Sequence, residues 1–176
     1  LAVQFLHLNG VCHRDLKLNN ILASKDGKTI RILDFDVSKF KKYGKKYSAL
    51  TMDNMRMWTF TGTLYFLAPE FFEDMEYTEA VDLWSLGAVL YGMLTGHLPF
   101  EASNTEDLKK EITSGVFNTT REEWGKVSKE AQDLITALLQ KDYRKRITPF
   151  EALAHPWIFK TSPNDANEST SDHGLE

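Results

Sequence analysis

The residues of this chain best suited to chemistry are His13-Arg14-Asp15-Leu16-Lys17-Leu18-Asn19-Asn20, followed fourteen residues after Asn20 by Asp34-Phe35-Asp36. Asp15, Asn20 and Asp34 can hold a phosphate donor and its metal. Lys17, two residues past Asp15, can offer positive charge to the same place. Oxygen ligands from Asn20 and Asp34 suit a hard cation such as Mg²⁺. Asp15 is placed to receive a proton from an attacking hydroxyl. Fixed charge, a cation and a proton acceptor are the equipment of phosphoryl transfer.

These groups must be positioned by the elements around them. Ile21-Leu22-Ala23 and Thr29-Ile30-Arg31-Ile32-Leu33 flank Asp26-Gly27, which predicts a hairpin. A turn centred there sets residue 20 opposite residue 33 or 34, so Asn20 and Asp34 meet at the open end. The segment from Ala80 to Leu94 is apolar on all sides and reads as a central core helix. Asp82 lies inside it, and a buried carboxylate must be satisfied by donors. Residues 104 to 114 and 128 to 140 read as amphipathic helices. The second is opened by Ser128 and has Leu134, Ile135, Leu138 and Leu139 on one face. A further helix starts at Thr148-Pro149 and runs to Leu153, with His155-Pro156-Trp157 closing it. Residues 161–176, rich in Ser, Asn, Asp and Glu, read as a disordered tail.

The 176 residues suit one domain, and a net charge of −4 gives no reason to invoke nucleic acid or an anionic membrane. The core helix is shorter than the ~20 residues a membrane span needs. A single cysteine, Cys12, excludes an internal disulfide framework. It reads as a buried structural thiol in a reducing, intracellular and cytoplasmic setting. The Asn118-Thr119-Thr120 sequon is incidental, and there are no internal repeats.

Four motifs occur in order: His13-Arg14-Asp15-Leu16-Lys17 with Asn20; Asp34-Phe35; Gly62-Thr63-Leu64-Tyr65-Phe66-Leu67-Ala68-Pro69-Glu70; and Asp82-Leu83-Trp84-Ser85-Leu86-Gly87. Together they resemble the eukaryotic protein-kinase family. The resemblance covers residues 1–160. It implies a kinase-like fold of mainly α structure with a short β-hairpin, limited to the C-terminal lobe. No glycine-rich G-x-G-x-x-G segment, V-A-I-K-like strand or helix bearing its partner Glu precedes the catalytic loop. Leu1 opens inside an apolar segment resembling the family helix that leads into that loop. The chain therefore reads as a fragment whose partner is a missing N-terminal lobe, with little or no activity alone.

The resemblance implies roles residue by residue. Asp15 and Lys17 are catalytic, and Asn20 and Asp34 hold ATP and Mg²⁺. His13 is a packed structural histidine against Phe35. Asp82 anchors the loop carrying Asp15. Arg146 pairs with Glu70, and Thr63 contacts Asp15 and Lys17. Thr59 is the activating phosphosite, with Thr61 second to it, and Arg14 is a partner for the phosphate. Lys17 and Thr63 are similar to the serine/threonine branch, so the substrate is a protein Ser or Thr hydroxyl. The His155-Pro156-Trp157 ending looks closest to the calcium/calmodulin-dependent branch.

The sequence also departs from the family pattern. Asp36 stands where the family has Gly, which permits backbone angles that Asp tolerates less well. Leu18 and Asn19 replace the commoner Pro and acidic residues. With Gly92 also lacking a carboxylate, no strong preference for Arg before the target residue is expected. Lys39, Lys41, Lys42, Lys45 and Lys46, interleaved with Phe40, Tyr43 and Tyr47, read as a solvated flexible loop. The alternative function is a non-catalytic binding or scaffold module of the pseudokinase type. The retained Asp15, Lys17, Asn20 and Asp34 weigh against it. A small-molecule kinase is disfavoured by the Ala68-Pro69-Glu70 segment.

Overall fold

The computed structural model describes residues 1–40, 63–73 and 78–160. The opening apolar segment forms α1 (Ala2–Leu8). The chain reverses at Gly10, whose φ of 72° is the left-handed conformation that glycine adopts without penalty. It then enters β1 (Val11–Cys12), the catalytic-type loop, and the hairpin of β2 (Ile21–Ala23) and β3 (Ile30–Ile32). These two strands pair antiparallel with Ile21 opposite Ile32. Gly27, at φ +69°, donates its N–H to the Ser24 carbonyl at 2.9 Å, so the expected turn forms where Asp-Gly stands.

A second antiparallel pair joins β1 to β4 (Lys39–Phe40), with Cys12 opposite Lys39. This corrects the reading of the basic run at its start. Lys39 and Phe40 are strand, because the β1 backbone needs ladder partners that the sequence pattern does not announce. The remainder of that run lies outside the described residues.

The expected core helix is α2 (Ala80–Thr95), with Val81, Asp82, Leu83, Trp84, Ser85, Gly87, Ala88, Val89, Tyr91 and Thr95 all buried. Gly96, at φ 76°, ends it in the left-handed conformation. Around it stand α3 (Thr105–Ser114), α4 (Glu122–Lys126), α5 (Lys129–Leu138), α6 (Pro149–Leu153) and α7 (Pro156–Lys160). Side chains of Asn104, Ser128 and Thr148 cap α3, α5 and α6, and Thr148 and Glu151 complete a capping box.

Two helices were not legible. The five-residue α4 is too short to stand on propensity. Trp124 holds it in place, stacked on Tyr91 at 5.4 Å and edge-on to Phe117 at 5.5 Å. Pro156, expected to close the preceding helix, begins α7, since proline's missing N–H is harmless in a first turn. Among the described residues no helix is long and apolar enough to cross a membrane.

α2 packs tightly on α5 and the residue that follows it. A Cβ added to Gly87 would meet Leu138 Cβ at 2.9 Å and Leu139 side-chain atoms at 3.0 Å. Such overpacking of a full core typically costs about 1–3 kcal/mol. Gly87→Ala should therefore lower the unfolding free energy measured in urea by an amount in that range, and an unchanged value would show that α5 moves aside freely.

Candidate active site

The loop from His13 to Lys17 is held from beneath by one carboxylate. Asp82, fully buried on α2, accepts the His13 N–H at 2.9 Å on Oδ2 and the Arg14 N–H at 2.8 Å on Oδ1. Its Oδ2 also accepts Nε2–H of His7, on α1, at 2.8 Å. A carboxylate so supplied with donors meets the requirement for burying a charge. Arg14 takes a φ of 68°, rare for a non-glycine residue, and its guanidinium Nε donates to the Val37 carbonyl. Cys12 is wholly buried. Burial first, and then the Asp82 charge, push its thiol well above the ordinary range, so the reactive thiolate is suppressed.

His13 links this loop to the Asp34 segment. Its Nε2 lies 2.9 Å from the Leu33 carbonyl, and Nδ1 accepts the Asp15 N–H at 3.3 Å. The tautomer with its proton on Nε2 satisfies both contacts. Phe35 meets the imidazole edge-on, with ring centroids 4.8 Å apart. The Leu33 N–H donates to the Asn20 carbonyl at 2.8 Å, which places Asp34 one residue past that rung. Asp34 is exposed, at φ 63°. Residues 13 to 20 and 33 to 35 are thus tied at three points.

The Asp15 carboxylate is only 8% exposed, and its two oxygens differ. Oδ2 accepts from Lys17 Nζ at 2.9 Å and from Asn20 Nδ2 at 3.0 Å. Oδ1 is buried and has no hydrogen-bond partner among the described residues. Lys17 Nζ also donates to Thr63 Oγ1 at 2.9 Å, tying the loop to the segment that ends at Glu70. Asn20 spends its NH₂ on Asp15, adding a 2.9 Å bond to the Asp15 carbonyl. Its Oδ1 accepts no bond among the described residues. The only hydrogen bond to the Asp34 carboxylate among them is a long one, 3.4 Å, from the Asp36 N–H.

Asp36 is exposed. Arg14 and Asp34 are the non-glycine residues with positive φ among those described, so Asp36 sits in ordinary backbone. The expected penalty for replacing Gly is therefore not incurred in this conformation.

Among the described residues no group of three His, Cys, Asp or Glu side chains gathers as a metal site. Mg²⁺ does not demand one, because it keeps several waters and shares phosphate oxygens with one or two protein ligands. The open oxygens of Asn20 and Asp34 fit that role, and the unpartnered Asp15 Oδ1 fits a hydroxyl donor.

A second buried cluster fixes the end of the 63–71 segment. Arg146 Nη1 and Nη2 reach Glu70 Oε1 and Oε2 at 2.8 and 3.0 Å. The guanidinium also donates to the carbonyls of Ala80, Gln140 and Lys141 and lies over the Trp84 ring at 5.1 Å. Thr59 and Thr61 fall outside the described residues. His7 was missed, since a lone histidine on an apolar helix face carries no signal of the carboxylate it meets 75 residues later.

The sequence matches the protein kinase domain over residues 1–158. It is 38% identical to the serine/threonine-protein kinase RAD53 of Saccharomyces cerevisiae, over 92% of this chain and 20% of that protein. It is 37% identical to human serine/threonine-protein kinase H1, over 89% of this chain and 36% of that protein. To calcium-dependent protein kinase 13 of Arabidopsis thaliana it is 36% identical, over 93% of this chain and 30% of that protein. The chain thus spans between a fifth and about a third of the length of these relatives. With this loop geometry and a match over nearly its whole length, the chain belongs to the eukaryotic serine/threonine protein kinase family.

Proposed function

We propose that this chain supplies the catalytic loop for ATP-dependent phosphoryl transfer to Ser and Thr hydroxyls of protein substrates. The observation that carries this reading is the divided Asp15 carboxylate. One oxygen is fixed by Lys17 and Asn20, while the other is buried and lacks a donor among the described residues. A substrate hydroxyl is such a donor. Its oxygen forms the new bond to the γ-phosphorus of ATP, the bond from that phosphorus to ADP breaks, and the hydroxyl proton passes to Asp15 Oδ1. Lys17 places positive charge beside the transferring group while Thr63 holds its position. Asn20 Oδ1 and Asp34 would hold Mg²⁺, which when bound neutralises phosphate charge.

The names of the relatives support the choice of Ser and Thr as acceptors. Thr59 is the phosphosite in this reading, and a phosphate there would bring about −1.5 to −2 charges toward the basic residues of its segment. Exposed Asn19 and the side-chain-free Gly92 offer no carboxylate to a substrate guanidinium, so Arg is not strongly selected. The reading is tested by Mg²⁺-dependent transfer from γ-labelled ATP to a Ser/Thr peptide library, using the full-length protein that contains this chain. Transfer to tyrosine alone, or no transfer by phosphorylated full-length protein, would contradict it.

Asp36→Gly bears on the same site. The substitution removes a like charge two residues from Asp34 and relieves no backbone strain. Activity should be kept or rise modestly, and the Mg²⁺ concentration for half-maximal rate should change by less than about tenfold. Loss of Mg²⁺-nucleotide binding in this variant would instead make Asp36 a ligand.

A further inference from the structure

A cleft of about 510 Å³ lies between α1, the start of α2 and the 143–150 segment. Most of its exposed wall is apolar, with Leu83 and Ile147 contributing, while Gln4 and His7 are polar and Glu79 and Arg144 charged groups on its lining. His7 is the informative one. Its side chain is only 7% exposed, and Nε2 is committed to Asp82 at 2.8 Å. A carboxylate accepts, so the ring proton is on Nε2. Nδ1 is buried and has no hydrogen-bond partner among the described residues. A buried polar atom left so is uncommon and costs free energy that a suitable ligand would recover. Gln4 lies one helical turn before His7, on the same face of α1, and its amide also makes no hydrogen bond among the described residues.

We propose that this cleft binds a small, mainly apolar molecule carrying one hydroxyl, an alcohol or a phenol, with the hydroxyl on His7 Nδ1. A hydroxyl suits the position because it donates to a bare ring nitrogen and accepts from a protonated one. The apolar walls take the body of the ligand, and the Gln4 amide gives the hydroxyl a second partner. The site is one side chain away from the catalytic loop: His7 bonds the same Asp82 Oδ2 that accepts the His13 N–H at 2.9 Å. Occupancy therefore acts on the carboxylate that sets the loop. That this would regulate phosphoryl transfer rests on the function proposed above, whereas the binding itself does not.

The test is a titration of the ¹⁵N-labelled chain with 4-methylphenol, without nucleotide, with toluene as the probe that lacks the hydroxyl. Saturable shifts are expected at the His7 ring nitrogens and at the His13 and Arg14 amides. Toluene should bind about tenfold more weakly or worse, the scale of one lost hydrogen bond. Gln4→Trp, which crowds the cleft from α1 and leaves the His7–Asp82 bond alone, should abolish the shifts. Absence of a saturable shift, equal affinity for both probes, or binding retained in Gln4→Trp would overturn the site. Binding that leaves the His13 and Arg14 amides unmoved would overturn the link to the loop. Since no phosphate donor is present, failure here leaves the proposed function untouched.

Discussion

Asp15→Asn is expected to lower phosphoryl transfer by about 10²–10⁴-fold, the contribution of a positioned proton acceptor. The substitution keeps the size of the side chain but replaces an oxygen that accepts a proton with a group that does not. The loop should keep its shape. Its backbone hangs on Asp82 through the His13 and Arg14 N–H groups, and His13 bridges to the Leu33 carbonyl. Nucleotide affinity should therefore change little while kcat collapses. The check is kcat from peptide phosphorylation set against a nucleotide Kd measured separately in the full-length protein. A rate within tenfold of wild type would remove Asp15 from the chemistry, and a parallel loss of nucleotide affinity would assign it to binding instead.

Arg146→Ala should be the most damaging single change to stability, at about 3–5 kcal/mol, because it strands a buried charge. Glu70 is 3% exposed and Arg146 wholly buried. Removing the guanidinium also deprives the Ala80, Gln140 and Lys141 carbonyls of a donor. An exposed pair such as Lys110–Asp107, at 76% and 50% exposure, should contribute far less, because water screens both charges. The ranking follows from burial, since both are close ion pairs. Urea unfolding of Arg146→Ala and Lys110→Ala measures the difference. The double variant Arg146→Met, Glu70→Leu should lose less than Arg146→Ala alone. If Arg146→Ala costs under 1 kcal/mol, water reaches Glu70 and the cluster is not the clamp described here.

The sequence was most readable where local chemistry and fold agree. Asp26-Gly27 announces a turn, and the strands on either side pair with the register that follows from it. A fifteen-residue apolar run can only be a central helix, and it is. Ser128 and Thr148 mark helix starts because their side chains have no better use than capping. Legibility failed where an element depends on a distant partner. Lys39 and Phe40 are strand because Val11 and Cys12 need a ladder, which the charges around them conceal. The short α4 exists because Trp124 is buried, not because its residues favour helix.

The candidate site shows the same division. The residue types and order of Asp15, Asn20 and Asp34 are plain in the sequence. The unequal environments of the two Asp15 oxygens are not, because they arise from Lys17 and Asn20 folding back on one side only. The backbone at Asp36 is equally hidden from the sequence: the left-handed residue of this segment is Asp34, and Asp36 keeps ordinary angles. His7 was invisible, since its partner Asp82 comes from the far side of the core.

In the proposed site Asn20 and Asp34 share a cation beside Asp15. Paramagnetic line broadening on the ¹⁵N-labelled chain, titrated with Mn²⁺ and a non-hydrolysable ATP analogue, tests this. The Asn20 side-chain amide and the backbone amides of residues 33 to 36 should broaden first and together, and Asp34→Asn should abolish the effect. Broadening that begins at exposed carboxylates such as Glu106 and Asp107, or that spares Asn20 while Asp34 responds, would contradict the shared site.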